Sequence, residues 1–494
     1  MRETHMEEQG LLADIREHPD DVSLRRIYAD WLEDHGDAAR AEFIRVQVEL
    51  ATTDEWDDAR PELQRREREL LTAHRGAWLQ GLPSGAVTFE GGLAQRWTLH
   101  AECFHTHAQA ILTHSPLVAL ELAGLESDRL ASAIAENPVL DQVQELRLSH
   151  SGLSGWNAIK LLRQRSLKGL RHLCLTQLRF SGVPLQELLR HPAALRLQRL
   201  DLVGCGLQGT DFEHLAQAAT LGRLRFLDLS ENALGGLEMA FLSSAQHWGE
   251  LEHLGLRGGQ MTSDGLRSLA QAPFLSCLHS LDLSRNPLGG HLGSFFAKPK
   301  RLPTQRLNLS RTRLNFDDLQ HLVRSAFWPQ MSVLNLSENE LHLRDIQALV
   351  QADPSPPLRV VGLAAVQLDT PKARALAPWL SWQQVRELDL SGNLLDAHSL
   401  RALLFSAPLA ALRSLDLSAN PLGDLGARVL ARWPGLPQLR RLVLASCQVS
   451  DEGAQALLAA LPPDCPVQME LFDNPLSADL LALFRARELL AFDE

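Results

Sequence analysis

Apolar and polar residues alternate along short stretches of this chain, and the same alternation returns many times. In LHSLDLSRNPL, residues 278–288, Leu281 and Leu283 point to one side and Asp282 points to the other. A period of two predicts a short β-strand. The stretch SDEGAQALLAAL, residues 450–461, begins with serine and aspartate and continues with apolar residues three or four apart. This spacing predicts a capped helix after the strand.

The pattern of strand followed by helix has a fixed period. Fourteen units, spaced by 26 or 27 residues, can be aligned between residues 117 and 476, and such a period indicates a stacked repeat architecture. Parallel strands lie about 4.8 Å apart whereas packed helices lie about 8–10 Å apart, so the helix layer must spread. The sequence therefore predicts an α/β solenoid shaped like a horseshoe, with a parallel sheet on the concave face and helices on the convex face.

The residue just beyond each strand is often asparagine. Six units have it: Asn232, Asn286, Asn339, Asn393, Asn420 and Asn474. A side-chain amide both donates and accepts, so we expect it to satisfy turn groups that would otherwise be buried unpaired. Four other units have Leu125, Leu178, Gly259 and Val366 at this position. Weaker bonding between repeats is expected there.

The units LRFLDLSENAL, LHSLDLSRNPL, VRELDLSGNLL and LRSLDLSANPL resemble leucine-rich repeats. They are most similar to the long cytosolic subclass typified by ribonuclease inhibitor. The resemblance covers residues 117–476 and implies a scaffold for protein binding. An inhibitor or sensor role is implied only by analogy.

The first 82 residues lack this period and carry helical patterns instead. An apolar stripe at helical spacing is formed by Leu24, Ile27, Tyr28, Trp31 and Leu32. Four helical stretches are predicted. The phrases LLADIREHPDD, RRIYADWLEDHGD, ARAEFIRVQVEL and RERELLTAHRGAWL resemble the repeat-companion domain that precedes repeat arrays in some bacterial proteins. That resemblance implies an architecture and no activity.

Both ends of a repeat array must be closed. Residues 83–116 are predicted to form an N-terminal cap, in which AVTFEGGLAQRWTLH turns at Gly91 and Gly92 as a β-hairpin and a helix comes next. Residues 477–494 are predicted to form a closing helix. The predicted domains are therefore 1–82, 83–116, 117–476 and 477–494.

Charge and composition narrow the class of partner. The formal charge of the chain is -12, and residues 1–82 hold 20 acidic residues against 11 arginines. The sequence shows no basic stripe of the kind that nucleic-acid-binding proteins carry. Neither an N-terminal apolar segment nor a run long enough for a bilayer is found, and the six cysteines form no CxxC pair. We expect a cytoplasmic protein that binds neither nucleic acid nor membrane.

The sequence contains possible metal ligands and clustered carboxylates, but they do not form a known catalytic or metal-binding motif. One cluster offers histidine and cysteine as possible zinc ligands, at His100, Cys103, His105, His107 and His114. A carboxylate group lies near the end of the second predicted helix, at Asp30, Glu33, Asp34 and Asp37. Their spacing favours surface histidines and helix capping over a metal or acid–base site. We expect no metal, no cofactor, no small-molecule substrate and no enzyme.

Candidate partner-binding residues come from positions that alternate with the strand leucines or lie just after the strands. An acidic row at the central strand position includes Asp201, Asp228 and Asp282. These aspartates could equally belong to the repeat consensus or to recognition. Arginines gather around the strands of units 6–8, at Arg257, Arg285, Arg306, Arg311 and Arg313. Apolar interruptions are Phe226, Val333 and Val360.

These patterns support two functional hypotheses. The first is a non-enzymatic scaffold, sensor or adaptor that binds a protein on the concave face. The alternative is a regulator of an enzyme, such as an inhibitor or a GTPase-activating protein, because similar repeats occur in Ran GTPase-activating proteins.

Overall fold

The computed structural model describes most of the chain. The described residues are 2–18, 21–57, 59–83, 85–114, 116–125, 127–148, 155–163, 167–178, 180, 185–297, 303–463 and 465–490. They divide into two compact units, Met1–Asp228 and Leu229–Glu494. Each unit contains parallel strands that alternate with helices. This confirms the predicted α/β repeat class.

The described part of the first unit begins with four helices, as predicted. Its helices are α1 (Arg2–Glu17), α2 (Val22–Asp34), α3 (Ala38–Thr52), α4 (Arg60–Trp78), α5 (Ala101–His114), α6 (Asp128–Ala135), α7 (Gly155–Arg163), α8 (Leu185–Leu189) and α9 (Gly209–Gln217). Its strands are β1 (Ala86–Glu90), β2 (Leu93–His100), β3 (Ala119–Ala123), β4 (Glu145–Arg147), β5 (His172–Cys174), β6 (Arg199–Asp201) and β7 (Phe226–Asp228). Three 3-10 turns are Pro138–Gln142, Pro192–Arg196 and Ala219–Leu221. Strands β1 and β2 form the predicted antiparallel hairpin, and β2 to β7 pair in parallel in chain order.

The second unit continues the alternation. Its described helices are α10 (Gly236–Ser243), α11 (Ser263–Leu269), α12 (Leu292–Phe296), α13 (Phe316–Val323), α14 (Leu343–Val350), α15 (Thr370–Leu376), α16 (Ala397–Ser406), α17 (Gly423–Arg432), α18 (Asp451–Ala460) and α19 (Ala478–Ala486). Its strands are β8 (His253–Gly255), β9 (Ser280–Asp282), β10 (Arg306–Asn308), β11 (Val333–Asn335), β12 (Val360–Gly362), β13 (Glu387–Asp389), β14 (Ser414–Asp416), β15 (Arg441–Val443) and β16 (Gln468–Glu470). Four 3-10 turns are Pro273–Ser276, Trp328–Gln330, Leu380–Gln383 and Leu436–Gln438. Strands β8 to β16 pair in parallel in chain order.

The strand leucines form the core in both units. In β9, Leu281 is 2% exposed, while Ser280 and Asp282 on either side of it remain partly exposed. The same alternation holds in β13 and β14. Burial of each such leucine contributes about 1.5–3 kcal/mol. No helix in the described part of the chain has both the length and the apolar character needed to cross a membrane.

In the second unit, the asparagines after the strands join successive repeats. Asn339 Nδ2 donates to the carbonyl oxygen of Leu336 in its own repeat and to that of Leu309 in the preceding repeat, at 2.9 and 2.8 Å. Its Oδ1 accepts from the backbone N–H groups of Thr312 and Leu314, at 3.1 and 3.0 Å. Asn393 and its equivalents repeat these bonds. The predicted structural role of the asparagines is confirmed.

Other donors replace asparagine where it is missing. Thr312 Oγ1 donates to the carbonyl oxygen of Leu309 at 2.7 Å, and the thiols of Cys205 and Cys447 donate to carbonyls of the preceding repeat. Burial raises the pKa of Cys447 to about 11, so the thiol stays protonated and can donate. Where Val366 offers no donor, Asn393 of the next repeat reaches the Leu363 carbonyl and accepts from the Val366 N–H. Val366 is thereby bonded to the following repeat, while its apolar side chain makes no hydrogen bond to the preceding one.

The N-terminal helices of the first unit share a core with the hairpin. Gln47 on α3 donates to the Phe89 carbonyl at 3.1 Å and accepts from the Gly92 N–H at 2.7 Å. Leu93 of β2 lies in the same apolar cluster as residues of α1, α2 and α3. Phe43 contacts Phe89 edge to face, with ring centroids 5.5 Å apart. The N-terminal helices and the hairpin therefore pack together within the first unit.

The predicted apolar stripe of α2 is wrong at one position. Ile27 is 52% exposed, whereas Arg25 is only 8% exposed. The α2 surface that meets the hairpin includes Arg25, whose guanidinium donates to Gln95 Oε1 on β2 at 3.4 Å. The spacing of apolar residues alone does not reveal that an arginine on the same helix is buried.

Removal of one of the asparagines that join successive repeats should lower the stability of the folded protein. We expect Asn339→Ala to lower the free energy of unfolding by about 2–4 kcal/mol, because buried carbonyl and N–H groups lose their partners. Chemical denaturation followed by circular dichroism measures this. The control is Glu340→Ala, an exposed neighbour, which should change stability by less than about 0.5 kcal/mol. Equal stability of the two variants would contradict the proposed role of the asparagines in joining the repeats.

Two glycines of the first unit test how closely the helices approach the hairpin. Gly92 and Gly81 have φ angles of +83° and +81°, so alanine is strained at either position. A Cβ on Gly92 would lie 2.6 Å from Ile44 Cα, whereas one on Gly81 would meet nothing within 4 Å. We expect Gly81→Ala to cost about 1 kcal/mol and Gly92→Ala to cost more. Thermal unfolding of both variants measures the difference, and similar melting temperatures would show that the contact is loose.

Candidate partner-binding surfaces

One row of side chains crosses the solvent side of the second unit's sheet at the third residue of each strand. The parallel register aligns Gly255, Asp282, Asn308, Asn335, Gly362, Asp389, Asp416, Val443 and Glu470. Its acidic and amide groups lie on neighbouring strands, about 4.8 Å apart.

The aspartates of the second unit's row have a local structural role. Asp282 Oδ1 accepts from the Ser284 N–H at 2.8 Å. Asp389 Oδ1 accepts from both the N–H and the hydroxyl of Ser391, at 2.9 and 2.7 Å. Asp416 and Ser418 repeat the arrangement. Aspartate bonded to the residue two positions on stabilises a turn, so repeat structure accounts for the LDLS phrase.

The first unit departs from that phrase at Asp201. Its carboxylate lies 2.9 Å from Arg199 Nε, and the residue is 5% exposed. Burial raises the pKa of Asp201. The negative charge of Asp228 on the neighbouring strand raises it further, whereas Arg199 lowers it. The Arg199 guanidinium also lies over the Phe226 ring, 3.7 Å from its centroid. Phe226 is therefore partly covered by a cation and is not the bare apolar surface expected from the sequence.

Three of the predicted arginines lie in the turns after strands of the second unit. Arg285, Arg311 and Arg313 are exposed and have φ angles of +57°, +54° and +59°. The backbone N–H groups of Arg285 and Arg311 bond to Ser310 and Ser337 of the next repeats, so these two arginines occupy equivalent positions. Arg311 pairs with Glu338 at 3.5 Å, and because both are exposed the pair adds little stability.

Arg257 differs from these three arginines. It is half-buried, its backbone N–H donates to Ser230 Oγ at 3.2 Å, and its Nε is buried without a hydrogen-bond partner among the described residues. Its guanidinium is therefore less available to a partner than those of the exposed arginines.

Arg306, Val333 and Val360 form one contiguous patch at the first residue of their strands. The register places Arg306 opposite Val333, and Val333 opposite Val360. Arg306 is exposed and the two valines are half-buried. The second unit therefore presents two adjacent apolar side chains beside a cation.

The structure also contains a basic row that the sequence analysis missed. Arg359, Arg386, Arg413 and Arg440 each precede a strand, and each backbone N–H from Arg386 onward bonds to the carbonyl of the preceding arginine, at 2.7–2.8 Å. We call these four residues the arginine row. Their spacing of 27 residues was visible in the sequence. A basic stripe in a repeat protein is distributed at the repeat period and does not show as a local run of charge.

The first unit has its own charged centre on the sheet. Glu145 Oε2 lies 2.8 Å from Arg96 and 3.9 Å from His172 Nδ1, and Oε1 lies 2.5 Å from Arg147 Nε. Burial opposes the charged form, but the nearby His172 and the hydrogen-bonded Arg96 and Arg147 outweigh it and hold the pKa of Glu145 well below its usual range. Strands β4 and β5 and the hairpin strand β2 meet at this carboxylate.

The histidine and cysteine cluster lies around α5. The Cys103 thiol is 3.9 Å from His107 Nδ1, which also contacts the Cys103 carbonyl oxygen at 3.0 Å. No group of three or more potential metal ligands occurs among the residues that the structure describes.

The acidic group of α2 has structural partners. Arg45 pairs with Asp30 and Glu33 at 2.7 and 2.6 Å. Asp37 caps α3 by accepting from the Arg40 N–H at 3.1 Å.

Comparison with known families locates the repeats by sequence. A leucine-rich repeat model matches residues 277–298, and a second one matches residues 411–431 and 436–458. These three segments of the chain are therefore similar to leucine-rich repeats. The matched segments include β9, β14 and β15 of the second unit. A comparison with curated proteins finds no match by sequence.

Two solved structures are similar to this chain at low identity. A chain from the crystal structure of the Rad7 and Elc1 complex of yeast is 14% identical, with a TM-score of 0.41, and the match covers 91% of this chain and 92% of that chain. An internalin (inlF) from Listeria monocytogenes is 17% identical, with a TM-score of 0.28, and the match covers 79% of this chain and 93% of that chain.

Glu145 should contribute stability that depends on pH. Its folded pKa lies below the unfolded value of about 4.3, so its contribution is complete above that pH and is lost as pH falls below it. We expect Glu145→Gln to destabilise the protein at pH 7 by about 1.5–3 kcal/mol. The difference from the parent should shrink when unfolding is measured near pH 3. A difference that stays constant with pH would mean that the carboxylate charge has no part in it.

Proposed function

We propose that the chain is a non-enzymatic scaffold that binds a protein partner on the solvent side of the second unit's sheet. The observation that carries this proposal is the patch of Arg306, Val333 and Val360 on three adjacent strands. Protein interfaces combine a desolvated apolar centre with a polar rim. Here the two valines supply the centre, and the arginines around them supply the rim.

The turn arginines support the same surface. Arg285 and Arg311 occupy a left-handed backbone position that costs a non-glycine residue about 1 kcal/mol. Equivalent turns elsewhere have Gly258 and Gly392, and also Glu231, Glu338 and Ala365, all with positive φ. The turn therefore accepts several residue types, and we propose partner binding as the role of the two arginine side chains. Asp282 lies between the turns and the patch. The exposed Arg313 extends the basic rim, and the half-buried Arg257 contributes less to it.

The arginine row indicates the chemistry of the partner. The four arginines each precede one of four neighbouring strands, whose backbones lie about 4.8 Å apart. Carboxylates three or four residues apart on a helix are separated by about 5–6 Å, which is close to this spacing. We propose that the partner presents an acidic helix across the strands.

The other regions have supporting roles in this proposal. Residues 117–476 supply the repeats, residues 83–116 and 477–494 close them, and residues 1–82 provide a second docking surface. In the first unit, Phe226, Asp201 and Asp228 form a separate candidate contact. Cys205 and Cys447 are buried thiols bonded to carbonyl oxygens, which is consistent with a reducing compartment, and we propose the bacterial cytoplasm.

Charge reversal should weaken binding of the partner. The partner is first isolated by pull-down from native lysate and identified by mass spectrometry. The double variant Arg285→Glu and Arg311→Glu should then weaken binding at least about tenfold, through loss of attraction to acidic groups. Isothermal titration calorimetry at moderate salt provides the measurement.

A matched control separates this effect from net charge. Arg401 is exposed on α16 and has no ion pair among those described, whereas Arg428 pairs with Glu452 and is less suitable. Arg401→Glu should bind like the parent. If the double variant also binds like the parent, the partner contacts another surface.

A further inference from the structure

We infer that the first unit contains a second binding site, a basic groove that takes an acidic peptide segment of another protein. The groove consists of two connected cavities of about 750 and 550 Å³. Both are lined by Gln144, Arg171 and Gln198. This site lies wholly in the first unit, so it does not depend on the sheet surface proposed for the second unit.

The backbone ladder of the repeats builds one wall of the groove. Arg171 N–H donates to the Gln144 carbonyl and Gln198 N–H donates to the Arg171 carbonyl, both at 2.8 Å. These bonds fix the three side chains at the starts of β4, β5 and β6. Arg196 and Arg223 stand 27 residues apart, at equivalent positions in successive repeats, and both are exposed. Arg196 also donates to the Lys168 carbonyl oxygen.

Helix α1 supplies part of the opposite wall. Arg16, near its C-terminal end, donates to Gln142 Oε1 at 2.9 Å. This bond joins α1 to the segment just before β4. The N-terminal helices thereby convert an open edge of the repeats into a groove.

The charge of the groove is opposite to that of the chain. The larger cavity is lined by Arg16, Lys168, Arg171, Arg196 and Arg223, against two carboxylates, Glu17 and Asp141. The whole chain has a formal charge of -12. Positive charge gathered in a cleft raises the local concentration of anionic ligands.

Two buried donors lack acceptors within the described residues. Gln95, which lines the smaller cavity, is 2% exposed, and its Nε2 has no hydrogen-bond partner. Arg16 Nε, in the larger cavity, is likewise buried without a partner. An unpaired buried donor costs free energy, and a ligand oxygen would recover it.

The remaining lining residues favour a peptide over a nucleic acid. Gln144 and Gln198 can both donate and accept, as the N–H and C=O groups of a peptide backbone require. Single-stranded nucleic acids bind where aromatic side chains stack on bases, and no Phe, Tyr or Trp lines either cavity among the described residues.

The test uses the full chain and a fluorescein-labelled peptide of alternating glutamate and serine. Fluorescence anisotropy should show saturable binding that weakens as salt is raised. The double variant Arg196→Glu and Arg223→Glu should raise the dissociation constant at least about tenfold. The neutral pair Arg196→Gln and Arg223→Gln should raise it less, which guards against loss of folding as the cause.

Controls distinguish this groove from general attraction to arginine. The double variant Arg401→Glu and Arg432→Glu changes the charge equally, on the exposed faces of α16 and α17 in the second unit, and should bind the peptide like the parent. A peptide with glutamine in place of glutamate should not bind. Equal affinity of the parent and the Arg196 and Arg223 variants would overturn the proposal. Tighter binding of an oligouridylate, lost in the same variants, would overturn the peptide assignment.

Discussion

The buried asparagine after the strand is the interaction on which the second unit depends. A turn in every repeat brings carbonyl and N–H groups away from water, and each one left unpaired would cost about 1–3 kcal/mol. One amide satisfies groups of two successive repeats at once, as Asn393 does with Leu363, Val366 and Leu390. This requirement fixes the spacing of strands and turns. It leaves the outer strand residues free to vary, and those residues are the ones proposed to meet a partner.

The two units solve the same packing problem with different means. In the second unit the side-chain amides are supplemented by the Thr312 hydroxyl and the Cys447 thiol. The first unit has Leu125, Leu178 and Cys205 at the equivalent positions. There, helices packed on a hairpin add a second core, and Glu145 joins β2 and β4 through charged hydrogen bonds. The charged groove between α1 and the strand starts arises from this addition.

Periodicity made the repeat elements predictable from the sequence, whereas contacts between distant segments were missed. Alternation around Leu281 was enough for the strands, and the Gly91 and Gly92 pair was enough for the hairpin, because both signals are local. Burial of Arg25 against β2 and the position of Arg199 over Phe226 depend on contacts that no local pattern encodes. The basic groove combines α1 with residues more than 120 positions away, as the bond from Arg16 to Gln142 illustrates. The arginine row could have been predicted, since its residues recur at the repeat period.

Hydrogen exchange of the free protein tests the central claim most directly. The amides of Thr312, Leu314, Val366 and Leu368 lie in turns outside the strands, yet each donates to an asparagine Oδ1. Residue-resolved exchange should find these amides protected to the same degree as the strand amides of Leu307 and Leu334, because opening any of them breaks the contact between repeats. Exchange as fast as that of exposed loop amides would contradict the account, since it would mean that the turns open independently of the sheet.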